Sequence, residues 1–274
     1  MTHGEPKARP PARRSALRGG AGLAAALTTG CAAERQPPAP APAPRSATPH
    51  TAPPRTTASR PARAAPAPAP RRLPGLPAQI DHGPRTGGRV ALTFHGQGDP
   101  AIARAVLAEA ERARARVTVL AVGTWLDEQP ALARRVLDGG HDLGNHTLHH
   151  RTVNEMSEAD AYAEITGCAD RLRRLTGSIG TWFRPSRAQR ATPLVVRLAQ
   201  RAGYPHVLSY DVDSLDHTSP GPAAVVSTVS SAARAGSVVS LHLGYRDTVA
   251  ALPPLLDHLH RRGLTAVTCT ELLT

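Results

Sequence analysis

The chain has 274 residues, a formal net charge of +12 and a sequence pI near 11.1. Residues 1–87 carry 13 of the 33 Lys and Arg but only 3 of the 21 Asp and Glu, so the rest of the chain is close to neutral. That distribution argues against a nucleic-acid partner for the folded part, and three cysteines exclude a disulfide framework.

The N-terminus reads as an export signal over residues 1–31. An arginine-rich start precedes an apolar stretch from about Gly19 to Gly30, too short to span a bilayer comfortably. Arg13-Arg14-Ser15-Ala16-Leu17-Arg18 resembles a twin-arginine signal, and Leu27-Thr28-Thr29-Gly30-Cys31 resembles a bacterial lipobox with Leu27 one position further out than usual. Lipidation of Cys31 would place the protein at the cell surface or cell wall; a plain secretory signal would release it. Residues 32–87 are Pro-, Ala- and Arg-rich, hold 15 of the 27 prolines, and read as a disordered linker with few core-forming residues. Such a spacer would carry a folded domain away from a membrane.

From Gly88 onward, apolar runs alternate with helical patterns. Arg89–Phe94 is a predicted strand, and residues 99–115 a helix with Asp99 as cap and Pro100 at its first position. Strands follow at 116–123, 141–146, 181–185, 206–213, 237–243 and 264–268. Helices lie between them at about 130–138, 157–177, 192–203, 221–236 and 248–263. Six or seven βα units predict an α/β fold, either a parallel sheet or a barrel, with no second domain in 88–274.

In such folds the site lies beyond the carboxyl ends of the strands. Those ends carry His95 with Asp99, His146 with His150, Arg184, Asp211 with Asp213, and His242. His146 and His150 are four apart, so a helical turn between them would let both imidazoles chelate one divalent ion, Zn²⁺ first and Co²⁺, Mn²⁺ or Ni²⁺ as alternatives. A third ligand is needed, from Asp99 or His95. The metal would polarise a carbonyl and activate water. His242 suits a general acid, and Asp213 suits a hydrogen bond to it.

The order Thr93-Phe94, Asn145-His146-Thr147-x-x-His150, Phe183-Arg184-Pro185, Asp213-Ser214-Leu215-Asp216 and Leu241-His242 resembles the carbohydrate esterase family 4 polysaccharide deacetylases, the NodB homology domain. The resemblance covers about residues 88–274. It implies a distorted (β/α) barrel and metal-dependent removal of acetyl groups from N-acetylated sugars of peptidoglycan, chitin or similar polymers. It assigns His146 and His150 to the metal, His242 to the catalytic acid, Asp213 to the carboxylate that tunes it, and Arg184 to the orientation of the base. The family usually reads T-F-D-D-G, base then metal ligand; here His95 and Gly96 follow Phe94, and glycine brings no ligand.

Two accounts of His95-Gly96-Gln97-Gly98-Asp99 fit. In one, the loop curls and Asp99 returns to the metal while His95 serves as base, or the two exchange roles. In the other, the site is catalytically retired and the domain only binds glycan. A third, separate reading is a basic adhesin acting through the N-terminal third. The expected partner is an acetylated polysaccharide or peptidoglycan, whether N- or O-acetylated, with a membrane reached only through lipidated Cys31 and the protein a monomer. Trp125, Trp182, Tyr210 and Tyr245 are the candidates for sugar stacking, with core packing the equal alternative for the two tryptophans.

Overall fold

A computed structural model describes residues 67–274; the export signal, Cys31 and residues 32–66 of the linker lie outside the described residues. The central strand β2, Arg89–Gly96, is buried at every position after Arg89, as a parallel strand covered on both faces must be. It pairs in parallel with β3 (Thr118–Ala121) and β7 (Val238–His242). The sheet runs β4-β3-β2-β7-β6, with β4 at Asp142–Asn145 and β6 at Val212–Asp213. Strand β8, Thr265–Val267, pairs only with the first residues of β2. A parallel bridge from Asn145 through Phe183 to Val207 continues the sheet to β5 (Val207–Leu208). Strand β5 pairs with β1, Gln79–Ile80. All the strand pairs are parallel, and the result is the distorted barrel expected.

Alternation along β2 organises the interior. Val90, Leu92 and Phe94 face the helices, whereas Ala91 joins an inner apolar cluster with Ile80, Leu120, Trp182, Leu208, Val238 and Val267. Above Ala91 on the same face stand Thr93 and then His95. The barrel is therefore apolar at the amino ends of its strands and polar at the carboxyl ends. Its lower opening is closed by α8, Cys269–Leu273, with Leu272 in the inner cluster and a capping box at Thr268 and Glu271.

Helix α1, Pro100–Arg112, begins as read, with the Asp99 side chain accepting from the Ala101 amide. Helix α4, Glu158–Thr176, is capped by Ser157 and stopped by Gly177 at φ +83°. Four features depart from the sequence reading. Residues 67–87, assigned to the linker, belong to the barrel through β1. A helix, α2 at Gly123–Glu128, precedes the expected one, α3 at Pro130–Asp138. The strand expected at 181–185 is reduced to the Phe183 bridge. The strand expected at 206–213 is broken, because Leu208 and Ser209 turn their carbonyls to the Arg184 guanidinium.

The chain enters beside the C-terminus of α4, where the Ala67 amide donates to Thr176 O and the Ser178 hydroxyl to Pro68 O. This is the face opposite the strand ends that carry the histidines. No helix among the described residues is long and apolar enough to cross a membrane.

Candidate active site

Parallel register sets His95 beside His242 at the ends of β2 and β7. His95 Nδ1 lies 2.9 Å from His242 Nε2, and His242 Nδ1 lies 2.7 Å from Asp216 Oδ1. Arg184 Nη1 lies 3.2 Å from His95 Nε2. Arginine can only donate, which fixes every proton along this row. His95 Nε2 accepts from Arg184, so neutral His95 carries its proton on Nδ1 and donates it to His242 Nε2. His242 then carries its own on Nδ1 and donates to Asp216. His95 therefore has no lone pair left for a water molecule.

Arg184 is fully buried, and its Nη1 also donates to Thr93 Oγ1 at 2.8 Å, with Nη2 donating to Ser209 O at 2.9 Å. None of these partners is charged. Burial pulls its pKa down to about 10. Burial is also the leading cause that holds His95 well below the usual imidazole range, reinforced by His146, His242 and Arg184.

The carboxylate on His242 is Asp216 and not Asp213. Asp216 is fully buried in a short 3₁₀ turn, and its Oδ2 accepts from the His242 amide and the Thr248 hydroxyl. Burial pushes the Asp216 carboxyl up, but the hydrogen bond and charge of His242, with the Thr248 hydroxyl, outweigh it and the pKa falls below its ordinary value. Asp213 instead accepts from the Leu215 amide through Oδ1 and lines the cavity mouth. It ends the strand and so projects at the rim, whereas the turn after it carries Asp216 back under His242.

Asp99 is also displaced from its expected role. It is exposed at the start of α1, its carboxylate committed to the Ala101 amide at 2.8 Å, and it lines a different groove with Ile102 and Val249. The loop runs outward instead: Gly98, at φ +94°, lies against Gly244 so closely that a Cβ would fall 2.7 Å from the Gly244 Cα, and Gly98 O accepts from Trp125 Nε1. A side chain at Gly96 would also be tight, with its neighbours having to give by a few tenths of an ångström. A Cβ there would meet Val119 Cγ1 at 3.0 Å, and Ala121 Cα and Trp125 Cζ3 at 3.1 Å. Trp125 is a core residue and Trp182 sits in the inner cluster, so neither tryptophan reaches the cavity.

His146 and His150 do converge, with ring centroids 5.0 Å apart. The segment is not helical; Thr147 and His150 adopt positive φ of 68° and 56°. His146 Nδ1 faces Arg184 O at 3.1 Å and must donate to it. Its Nε2 is then an unprotonated lone pair, fully buried and without a hydrogen-bond partner. Burial, with the neighbouring His150, keeps His146 well below its ordinary pKa, and burial with Arg187 and His242 brings half-buried His150 to about 4. Both imidazoles are therefore neutral near pH 7, as metal donors must be.

The cavity over these groups has a volume of about 340 Å³, and its walls include Gln97, Arg187, Tyr210, His217 and Tyr245. Among the described residues, Asp216, His217 and His242 have ligand atoms mutually within 4.8 Å. They fit an ion poorly, since both Asp216 oxygens are already taken. The divalent ion implied by the family resemblance fits better at His146 and His150. There the donor set is two neutral imidazoles, one held by a backbone carbonyl as metal-binding histidines are, with no carboxylate from position 96 or 99.

The sequence profile of the polysaccharide deacetylase family matches residues 82–207. A peptidoglycan-N-acetylglucosamine deacetylase of Bacillus cereus is 32% identical over 188 residues, covering 67% of this chain and 87% of that protein. A chitooligosaccharide deacetylase of Bradyrhizobium is 30% identical over 215 residues, covering 70% and 94%. A carbohydrate esterase family 4 pseudoenzyme from Bacillus anthracis shares the fold at a TM-score of 0.69 and 22% identity, covering 73% of this chain and 70% of that one. The chain belongs to the polysaccharide deacetylase family.

Proposed function

We propose that the protein removes acetyl groups from N-acetylated sugars of peptidoglycan or a chitin-like polymer. The observation that carries this reading is the orphaned Nε2 of His146. Buried polar atoms in native proteins nearly always have a partner, and this one is aimed beside a second neutral imidazole and a His–Asp pair. His146 and His150 would hold a divalent ion, Zn²⁺ or a close relative, which supplies a Lewis acid for the acetyl carbonyl when bound. His242 is the proton carrier. Its Nε2 lone pair is the one in the row that can be freed, when the Nδ1–H of His95 turns aside, and Asp216 stabilises the imidazolium that results. That nitrogen takes a proton from the water whose oxygen bonds to the acetyl carbon, and returns it to the amine nitrogen as the C–N bond breaks, releasing acetate. His95, lacking a free lone pair, positions His242.

The test is acetate release by the full chain from chitooligosaccharides and peptidoglycan, with and without Zn²⁺ or Co²⁺, beside His146→Ala and His242→Asn. The reading requires release that needs metal and both histidines; release that survives His242→Asn sinks it. With Gly96 bringing no ligand and the Asp99 carboxylate held at the start of α1, no carboxylate from this loop faces the two histidines, which favours a second reading, glycan binding without turnover. Retained glycan binding with no acetate from any substrate would establish it. Export through residues 1–31, with lipidation of Cys31 and a cell-surface location, is proposed on the sequence alone, as is a monomeric state with no nucleic-acid partner. Palmitate labelling that Cys31→Ser leaves unchanged would refute the lipidation.

A further inference from the structure

Beside the cavity over the histidines lies a second groove of about 430 Å³, walled by His149, His150, Arg151, Thr152, Glu155 and Arg187. His150 and Arg187 line both spaces, so the two adjoin. Arg187 is held there at some cost. Its φ is +55°, a left-handed conformation that a long side chain rarely adopts, and His150 and Thr147 are left-handed too. Such residues persist where the surroundings fix them and cluster at sites of function. The Arg187 Nε donates to His150 O at 3.0 Å, which anchors the guanidinium by its inner nitrogen and leaves both terminal nitrogens for another partner. Among the described residues no ion pair involves Arg187 or Arg151, as is also true of other arginines such as Arg104 and Arg197; Arg187 differs in lining the cavity over the histidines. Glu155 is the one acidic wall of the groove.

We infer that Arg187, with Arg151 behind it, forms a subsite for a carboxylate on the glycan, adjoining the pocket that takes the acetamido group. Two terminal N–H groups of a fixed guanidinium match the two oxygens of a carboxylate. This rests on the reading of the cavity as a glycan site. The substrate class is then an N-acetylated glycan whose sugar at or next to the deacetylated position carries a carboxylate, rather than a neutral polymer.

Calorimetric titration of the full chain tests this without requiring turnover. The probes are an N-acetylated peptidoglycan glycan strand carrying its carboxylates and the same strand with the carboxylates reduced to alcohols. The carboxylated strand should bind about tenfold more tightly, the size of one charge-assisted contact at a partly exposed site. Arg187→Gln should bring the ratio of the two affinities close to one, Arg187→Lys should retain part of it, and circular dichroism should report an unchanged fold for both. A ratio near one in the parent chain overturns the proposal, as does failure to bind either strand. A preference that survives Arg187→Gln also overturns it and places the charge recognition elsewhere, in the basic N-terminal third for example. If the preference is present and depends on Arg187 while no acetate is released from any glycan, the subsite stands and the deacetylase reading falls.

Discussion

Replacing His95 by aspartate should stabilise the fold relative to His95→Asn, because Arg184 is a buried cation with no buried anion beside it. A pKa drawn down to about 10 by burial corresponds to a cost on the order of 3 kcal/mol. That cost is carried in full at every pH below about 10, since the folded state takes up the Arg184 proton less readily than the unfolded chain. A carboxylate at position 95, roughly 5 Å from the guanidinium, would attract it by about 3 kcal/mol at an effective dielectric near 20. Desolvation of the new carboxylate offsets part of this, leaving about 1–2 kcal/mol over the uncharged isostere, or about 3–6 °C in Tm for a domain of this size. The assay is thermal unfolding of His95→Asp and His95→Asn side by side. The charge effect has a distinct pH signature. The new carboxyl's pKa is depressed by Arg184 when folded, so the gain is present above about pH 4 and disappears as pH falls through the depressed value. An asparagine variant as stable as the aspartate variant at pH 7 would refute the reasoning and mean that Arg184 is already neutralised by its hydrogen-bond partners.

Asp99→Ala should cost about 1 kcal/mol in urea unfolding, the value of one helix cap, with Asp99→Asn recovering most of it and acetate release unchanged by either; a large loss of activity would return Asp99 to the site. Asp216→Asn should cost about 2–4 kcal/mol, because it disrupts a buried, charged hydrogen-bond set, while Asp213→Asn stays within about 0.5 kcal/mol; the reverse order would return the role to Asp213. Acid should unfold the metal-free protein early. His95, His146 and His150 are all depressed when folded, so their contribution is complete above pH 6.5 and is lost as pH falls from there toward 4. His150 alone is worth about 1–2 kcal/mol once its solvent exposure is allowed for. Melts from pH 7.5 to 4.5 should show the decline, with a shallower slope in His146→Gln; a flat profile contradicts the burial argument.

The barrel was legible because a parallel strand buried on both faces writes a continuous apolar run, and Arg89–Phe94 and Ser237–Leu243 are such runs. The histidines were legible for a related reason: each follows its run directly, so chain order alone places His95, His146 and His242 at one end. Choices within a turn were not legible. Asp213 and Asp216 belong to one short motif, and only the left-handed Leu215 and the 3₁₀ turn after it decide which carboxylate reaches back under His242. Asp99 was misplaced because a helix cap and a metal ligand call for the same residue type, and the packing of Gly98 on Gly244, which settles the matter, involves partners far apart in sequence. Strand β1 went unread because two residues carry no period, and Arg187 because its role depends on a backbone angle that composition does not encode.

The entry of the chain at Ala67, on the closed end of the barrel, has a practical consequence for handling the protein. A support, tag or second domain joined directly at Ala67 would start behind the α8 plug, with the thickness of the barrel between that junction and the cavity mouth. Immobilising a chain shortened to Ala67 by that end should therefore leave the mouth open to an insoluble polymer. A tag fused after Thr274, which directly follows α8, would crowd the same rear face. Coupling through the surface around Arg151 and Arg187 would instead turn the mouth toward the support and blind it.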